Sequence, residues 1–439
     1  MAKIVLIGAG SYVFGRDFIS DIIQYPQLGK STLTLMDIDA ERLEIAAAYA
    51  RKLVAQNKLN LKIESTTDRR TALDSADYVI TSIRAGGWKP VQINRELAWK
   101  RGVECVPDAL GPGGIFGGLR QVPAILEICH DMEELCPDAW LLNYCNPMAI
   151  ICWAINDYTK IKNVGLCPNH HNLAVPIARY AGIPFDELYY TEAGINHFGW
   201  YLELKWRGKD LYPLLKEKFK DPDVYLKADS PMAPVDLIEV EVFQNFGYFN
   251  SGGGHLSMYL PYFRRTPQLT KKYKQASQGS IWDQAPIKTK KDDKKIKEQI
   301  EAGYQFPINR EYRWSIHATN IINSIETGSS TRSFGNVKNN GLITNLLQGC
   351  VVEVPCMVDK GGVHPCQVGD LPPQLAALDS SNVFVQEMAV RGIVEKDKSK
   401  ILQSILLDPL TSSILSIPEI KQMVEEMFRA EKAFMKGYK

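Results

Sequence analysis

A cysteine at 167 and a histidine at 197 are the side chains of this sequence with the most chemistry within reach. Cys167 is followed by Pro168-Asn-His-His171, and His197 lies between glycines in Gly194-Ile-Asn-His-Phe-Gly199. A thiolate and an imidazole on neighbouring loops can share a borderline divalent cation and leave positions open for substrate oxygens. Their spacing alone does not join them, since most such pairs in a chain are unrelated. A third segment, Asp108-Ala-Leu-Gly-Pro-Gly-Gly114, reads as a glycine-rich loop leading into a helix, able to present backbone N–H groups.

A second chemistry stands at the start of the chain. The apolar run Ile4 to Ile7 meets a turn at Gly8, Gly10 and Ser11, and Leu33-Thr-Leu-Met-Asp37 reads as a strand ending in a carboxylate. A glycine turn lets backbone approach a pyrophosphate, while an acid at Asp37 can accept hydrogen bonds from a ribose diol and repels a phosphate on it. The pair points to NAD. The fingerprint is incomplete, because Val13 stands where its third glycine belongs.

The elements that must position these residues follow from periodicity. Helical patterns are expected from Phe18 to Tyr25, Ala40 to Gln56 and Leu119 to Leu135. Strands are expected at Asp77–Ile83, Trp140–Asn143 and Asn163–Cys167. This alternation is that of an α/β, Rossmann-like doubly wound parallel sheet. Ligands then belong at the carboxyl ends of its strands, which hold Gly8, Asp37, Ile83, Asn143 and Cys167. Beyond residue 195 the pattern turns to α+β, with a strand at Leu202–Trp206, a lysine-rich run from Lys271 to Lys297 that reads as a solvated surface, and helices after Ser399. The sequence therefore divides into a dinucleotide-binding region, 1–195, and a tightly packed substrate-binding and oligomerisation region, 196–439.

Lys and Arg number 51 against 50 Asp and Glu, so no global charge attracts nucleic acid or an acidic membrane. The apolar stretch Trp140 to Ile155 is interrupted by Asn143, Asn146 and Pro147 and is too short to span a bilayer. The first strand begins at once, so no signal peptide is expected ahead of it. Nine cysteines without paired spacing suit reduced thiols in a cytoplasm.

Many short segments, in order, resemble glycoside hydrolase family 4, whose members depend on NAD and a divalent metal. They are Gly8-Ala-Gly-Ser11, Asp108 with Gly111-Pro-Gly-Gly114, Asn143 with Asn146-Pro147, Gly165-Leu-Cys167, Gly194-Ile-Asn-His197, and Ser257 with Tyr259-Leu-Pro-Tyr262. Asn339-Asn-Gly341, Val352-Glu-Val-Pro-Cys356, Gly369-Asp-Leu-Pro-Pro-Gln-Leu-Ala-Ala377 and Leu407-Asp-Pro-Leu410 extend the likeness almost to the C-terminus.

The resemblance implies a glycosidase that avoids the usual pair of carboxylates. NAD⁺ takes hydride from C3 of the sugar, and a cation such as Mn²⁺ binds at O2 and O3. A base removes the C2 proton, the aglycone is eliminated, water adds and the hydride returns. Carried over residue by residue, Cys167 and His197 are the metal ligands and Asn146, with Asn143, contacts the substrate. Gly8, Gly10, Ser11, Asp37 and Ile83 hold the cofactor. Tyr259 is the first choice for the base and His255 the second, and Asp108, His170, His171 or a water is the general acid.

The chain departs from the family at three places. It has Ser251-Gly-Gly-Gly254 where many members carry a glutamate-containing serine-rich segment, Met258 where many carry a glutamate before the tyrosine, and Pro168 after the metal-binding cysteine, where histidine, aspartate or asparagine is common. A less negative pocket would suit an acidic sugar, such as a galacturonide, a glucuronide or a sulfonated hexose, better than a neutral one. A homodimer or homotetramer is implied as well. The alternatives are an NAD-dependent 2-hydroxy-acid dehydrogenase, which needs neither Cys167 nor a metal, and a non-catalytic NAD-binding sensor.

Overall fold

The structure is a computed structural model, and it describes residues 1–11, 15–104, 108, 110–222, 224, 237–273, 279–307, 316–435 and 437–438. Val13 lies outside them. Six parallel strands form the first part of the sheet: β1 (Lys3–Ile7), β2 (Thr32–Met36), β3 (Lys62–Thr66), β4 (Tyr78–Thr81), β5 (Trp140–Asn143) and β6 (Lys162–Gly165). Their order, β3-β2-β1-β4-β5-β6, reverses direction between β1 and β4, where a crevice opens at the carboxyl ends of the strands.

The sheet does not stop at β6. It continues antiparallel through β10 (Thr331–Lys338) and β11 (Val351–Asp359), then β7 (Leu188–Ile195), β8 (Phe198–Trp206) and β9 (Lys209–Asp210), while β12 (Gly362–Pro365) pairs with β11. The backbone register makes one transverse row across ten strands. It runs Thr66, Met36, Ile7, Thr81, Asn143, Gly165, Asn336, Glu353, Gly194, Gly199. Gly8, Gly10, Asp37, Ile83, Cys167 and His197 lie within three positions of this row and Ser11 within four. The 195/196 division falls inside the β7–β8 hairpin, and one apolar cluster joins Ile4 and Leu6 to Val351, Ile401 and Met427.

Helix α1 (Gly15–Ile23) follows the glycine turn and packs on α2 (Ala40–Gln56). Helix α2 starts where Asp39 accepts from the Glu41 and Arg42 N–H groups, a side-chain cap worth about 1 kcal/mol. Helices α3 (Arg69–Leu73) and α4 (Trp88–Trp99) precede α5, which differs from expectation. It begins at Gly111 rather than Leu119 and runs to Leu135, so Gly111 to Gly114 are helix and not loop. Close packing overrides the low helix propensity of glycine: a Cβ on Gly118 would stand 3.1 Å from Ile393 and 3.4 Å from Ile150. Helices α6 (Met148–Tyr158) and α7 (Asn169–Ala181) complete the crossovers, and among the described residues no helix is long and apolar enough to cross a membrane.

At the centre of the row Gly165 has no room for a side chain. A Cβ there would lie 2.6 Å from Met148 Sδ, 2.7 Å from Cys152 Sγ and 2.9 Å from Asn336 Cβ. Gly165→Ala should therefore destabilise the fold by about 1–3 kcal/mol through overpacking, read from denaturant midpoints at unchanged m.

Candidate active site

At the first pole the backbone is drawn tight. Gly8 has φ +90, and a Cβ on it would lie 2.3 Å from the Ser82 carbonyl oxygen and 3.0 Å from Ile83 Cγ2. The Gly10 N–H donates to Asp37 Oδ2 at 2.9 Å, Asp39 N–H donates to Oδ1 at 3.0 Å, and the Ser11 and Ser82 hydroxyls meet at 3.1 Å. Ile83 N–H donates to Cys145 Sγ at 3.2 Å, and its carbonyl accepts from Gln121 Nε2 at 2.8 Å. Gly8, Gly10, Ser11, Asp37 and Ile83 are thus brought together.

Two residues at this pole went unread in the sequence. Gly15 packs against the Ala9 carbonyl, where a Cβ would come within 2.2 Å. It does the helix-packing work assigned to the third glycine, five positions after Gly10 instead of three. Ile38, next to Asp37, is 88 % exposed. It leaves a bare aliphatic side chain at the carboxyl end of β2.

Asn143 sits in the row, fully buried. Its Oδ1 accepts from Thr81 Oγ1 at 3.0 Å and Cys145 N–H at 3.1 Å, and its Nδ2 donates to the Cys145 carbonyl at 3.1 Å. Those bonds make it the brace of the loop after β5, in contrast to the expected ligand contact. Asn146 is half-buried, and its Oδ1 accepts from Met148 N–H at 3.2 Å.

At the second pole the residues converge around a two-residue turn, Asn196-His197, that joins β7 to β8. His197 is buried at φ +61, a left-handed conformation that costs a non-glycine residue about 1–3 kcal/mol and persists only when its surroundings enforce it. Gly252 enforces it: a Cβ there would lie 1.8 Å from the His197 carbonyl oxygen. Asn250 completes the clamp, with Nδ2 donating to Gly199 O at 2.8 Å and Oδ1 accepting from Gly252 N–H at 2.7 Å.

The His197 ring stacks on His255 with centroids 4.3 Å apart, and its Nδ1 lies 3.1 Å from the Asp108 carbonyl. A carbonyl can only accept, so Nδ1 carries the hydrogen and Nε2 the lone pair. Burial, and then the neighbouring His255, hold His197 well below the usual histidine range, so the ring is neutral. Burial likewise lowers His255, against the pull of Asp108.

Cys167 is buried, and burial raises its thiol well above the ordinary value; the Asn169 N–H and the Asn196 amide work against that. Asn196, in the turn that carries His197, donates from Nδ2 to Glu353 Oε2 at 3.3 Å. Tyr259 is buried with its ring 5.4 Å from Phe198, and burial raises its phenol, with the charges of Cys167 and Asp108 adding to the effect. The Asp108 carboxyl is raised by burial and held down in part by Arg84, whose guanidinium is 4.0 Å away. His171 turns its ring to Phe185, centroids 4.8 Å apart, and His170 packs against His317 and Phe334. Pro168 is the N-cap of α7, and Asp408 approaches the Gly111 N–H while accepting from Thr411 at 2.8 Å.

A reversed-order parallel sheet with a glycine turn, an acid, a buried thiol and a buried imidazole along one edge defines an α/β enzyme of the dinucleotide-binding class. The description "Family 4 glycosyl hydrolase" matches residues 3–183, and that of its C-terminal domain matches residues 192–411. The chain belongs to family 4 of the glycosyl hydrolases and is a glycosidase, as its motifs imply. That assignment sets aside both the hydroxy-acid dehydrogenase and the non-catalytic sensor.

It is 35 % identical over 448 residues to an α-galactosidase of Bacillus subtilis (strain 168), covering 100 % of both chains. It is 28 % identical over 455 residues to an α-galacturonidase of Thermoanaerobacter italicus, covering 99 % of this chain and 98 % of that one. A 6-phospho-α-glucosidase from gut microorganisms, crystallised with NAD and Mn²⁺, shares the fold at TM-score 0.82 and 22 % identity over 98 % of each chain.

Gly252→Ala should displace the His197 turn, because the new methyl meets backbone rather than a flexible side chain. Glycosidase activity should fall on the order of 10²-fold, as for misplaced catalytic geometry, with far-UV circular dichroism close to wild type.

Proposed function

We propose that the enzyme cleaves an α-galacto-configured glycoside by NAD-dependent oxidation at C3 and cation-assisted elimination across C2 and C1. The observation that supports this reading is the contact of His197 with the His255 ring and the Asp108 carbonyl, on the sheet edge that also carries Cys167 and the glycine turn. The residues at both poles fit the groups they would hold. Gly8 and Gly10 leave a cradle that any Cβ would fill, Asp37 offers a carboxylate to a ribose diol, and Ile38 is bare beside it. Sulfur with a neutral imidazole suits a divalent transition cation, and the Asp108 carbonyl orients that imidazole from outside the coordination sphere.

When bound, the nicotinamide supplies reversible hydride transfer at C3 and the cation Lewis acidity at O2 and O3, which makes an otherwise inert C2–H acidic. The chain's own residues do the rest. Tyr259, enclosed next to Cys167, takes the C2 proton, and His255 is the second choice for that role. Asp108, whose burial favours the protonated form, gives a proton to the departing aglycone oxygen. Asn146, half-buried beside the braced Asn143, orients the sugar. The water-poor setting of Cys167, His197 and Tyr259 protects the oxidised sugar from side reactions.

The galacto configuration is supported by the names of the α-galactosidase and α-galacturonidase relatives. The acidic sugar is the second reading, favoured by Pro168 and Met258. Among the described residues every cysteine is a free thiol, which supports a reducing, cytoplasmic setting. A homodimer or homotetramer belongs to the same proposal.

Turnover in D₂O should place deuterium at C2 of the released sugar, seen by NMR; an unlabelled C2 contradicts the mechanism. With NAD⁺, Mn²⁺ and a thiol reductant present, p-nitrophenyl α-galactoside should exceed the α-glucoside in kcat/KM. An α-galacturonide exceeding both would move the assignment to the acidic sugar.

A further inference from the structure

One buried cluster goes unused by the proposed mechanism. His170, in the first turn of α7, Glu192 on β7 and Glu353 on β11 each offer one ligand atom, and the three atoms lie within 4.8 Å of one another. All three residues are buried, at 3 %, 0 % and 3 % exposure. Four atoms in the cluster close no hydrogen bond: His170 Nδ1, both Glu192 oxygens and Glu353 Oε1. Ser251 is the donor nearest Glu192, and Asn196 Nδ2 reaches only the other oxygen of Glu353, at 3.3 Å.

This is an unusual charge arrangement. Two carboxylates buried side by side cost several kcal/mol each unless something compensates them. Among the described residues no lysine or arginine acts on either one; the influences on them are burial, each other, Ser251, Asn196 and Asn336. The third member is a neutral imidazole, because burial and the neighbouring His317 and His171 keep its pKa well below the usual histidine range. The Cys167 carbonyl acts on one side of that ring as an acceptor, and a neutral ring with one N–H keeps a lone pair on its other nitrogen.

The scaffold aims these groups inward. Along β7 Leu188, Tyr190 and Glu192 face inward while Tyr189 and Thr191 do not, so Glu192 takes a buried position of the strand. Stacking against His317 and Phe334, at 4.8 and 4.6 Å between centroids, fixes the His170 ring. Ligands on opposite sides of a cation at about 2.0–2.2 Å stand roughly 4.0–4.4 Å apart, so a modest closure of the cluster seats an ion.

We infer that His170, Glu192 and Glu353 form a second, buried divalent-cation site that pins α7 to β7 and β11 and thereby steadies the segment carrying Cys167. Two carboxylates with one imidazole suit Mn²⁺ or Zn²⁺. The inference does not depend on the proposed mechanism, since none of the three residues takes part in it.

Metal content of the full-length chain tests it. After chelator stripping and dialysis against Mn²⁺, and separately Zn²⁺, mass spectrometry of the metal should find two ions per wild-type chain. Cys167→Ser/His197→Asn should keep one ion and still gain Tm on metal addition. Adding Glu192→Gln and Glu353→Gln should remove that ion and the Tm gain. One ion in wild type and none in Cys167→Ser/His197→Asn overturns the inference, as does retention by the chain carrying all four substitutions. One ion in both wild type and Cys167→Ser/His197→Asn, lost on the glutamine substitutions, upholds it and removes the cation from the proposed mechanism instead. The double variant decides the matter even if the glutamine substitutions prevent folding.

Discussion

The structure depends on a single line of backbone hydrogen bonds running across the sheet from β3 to β8. Strands sit about 4.8 Å apart, so Met36 and Gly165 in this row, four intervals apart, are separated by about 19 Å. Asp37 follows the first directly and Cys167 follows the second by two residues. An extended dinucleotide laid along the edge would start at the pole of Asp37 and end towards that of Cys167. Because the row is hydrogen-bonded throughout, the two poles cannot drift apart without breaking the sheet. The antiparallel strands β10 and β11 have the same importance here as the parallel ones, since they link β6 to the hairpin that presents His197.

Electrostatics reinforces this geometry. Cys167, His197, His255 and Tyr259 are all shifted toward their neutral forms, and burial is the first cause in each case. A region that disfavours charge so uniformly gives a bound cation unusual leverage over its neighbours. It also explains why positioning is left to amides. Asn143, Asn250 and Asn339 brace their loops by donating and accepting at once, and Asn196 donates to Glu353, all without adding charge.

Much of the parallel half was legible because its signals are local. Helix α2 spans the expected residues, with its cap at Asp39, and β5 ends at Asn143 as its apolar run suggests. What escaped depends on contacts distant in the chain. Gly111 to Gly114 read as loop because glycine disfavours helix, yet they are helical under packing that reaches Ile393 at Gly118. The third glycine was sought at Val13, while the Ala9 carbonyl selects Gly15. Glu192 and Glu353 lie 161 residues apart in the sequence, and only the pairing of β11 with β7 places them together. Asn196 was read merely as a neighbour of His197, and nothing in sequence spacing shows its bond to Glu353.

The central claim is that a nicotinamide ring and a cation held by Cys167 and His197 meet at one sugar. The most direct measurement is the paramagnetic effect of Mn²⁺ on the nicotinamide protons of bound NAD⁺, with Mg²⁺ as the diamagnetic reference. The account predicts strong broadening of those protons, far weaker effects on the adenine protons, and loss of the broadening in Cys167→Ser/His197→Asn. Nicotinamide signals that Mn²⁺ leaves as sharp as Mg²⁺ does, with both ligands bound, would contradict it.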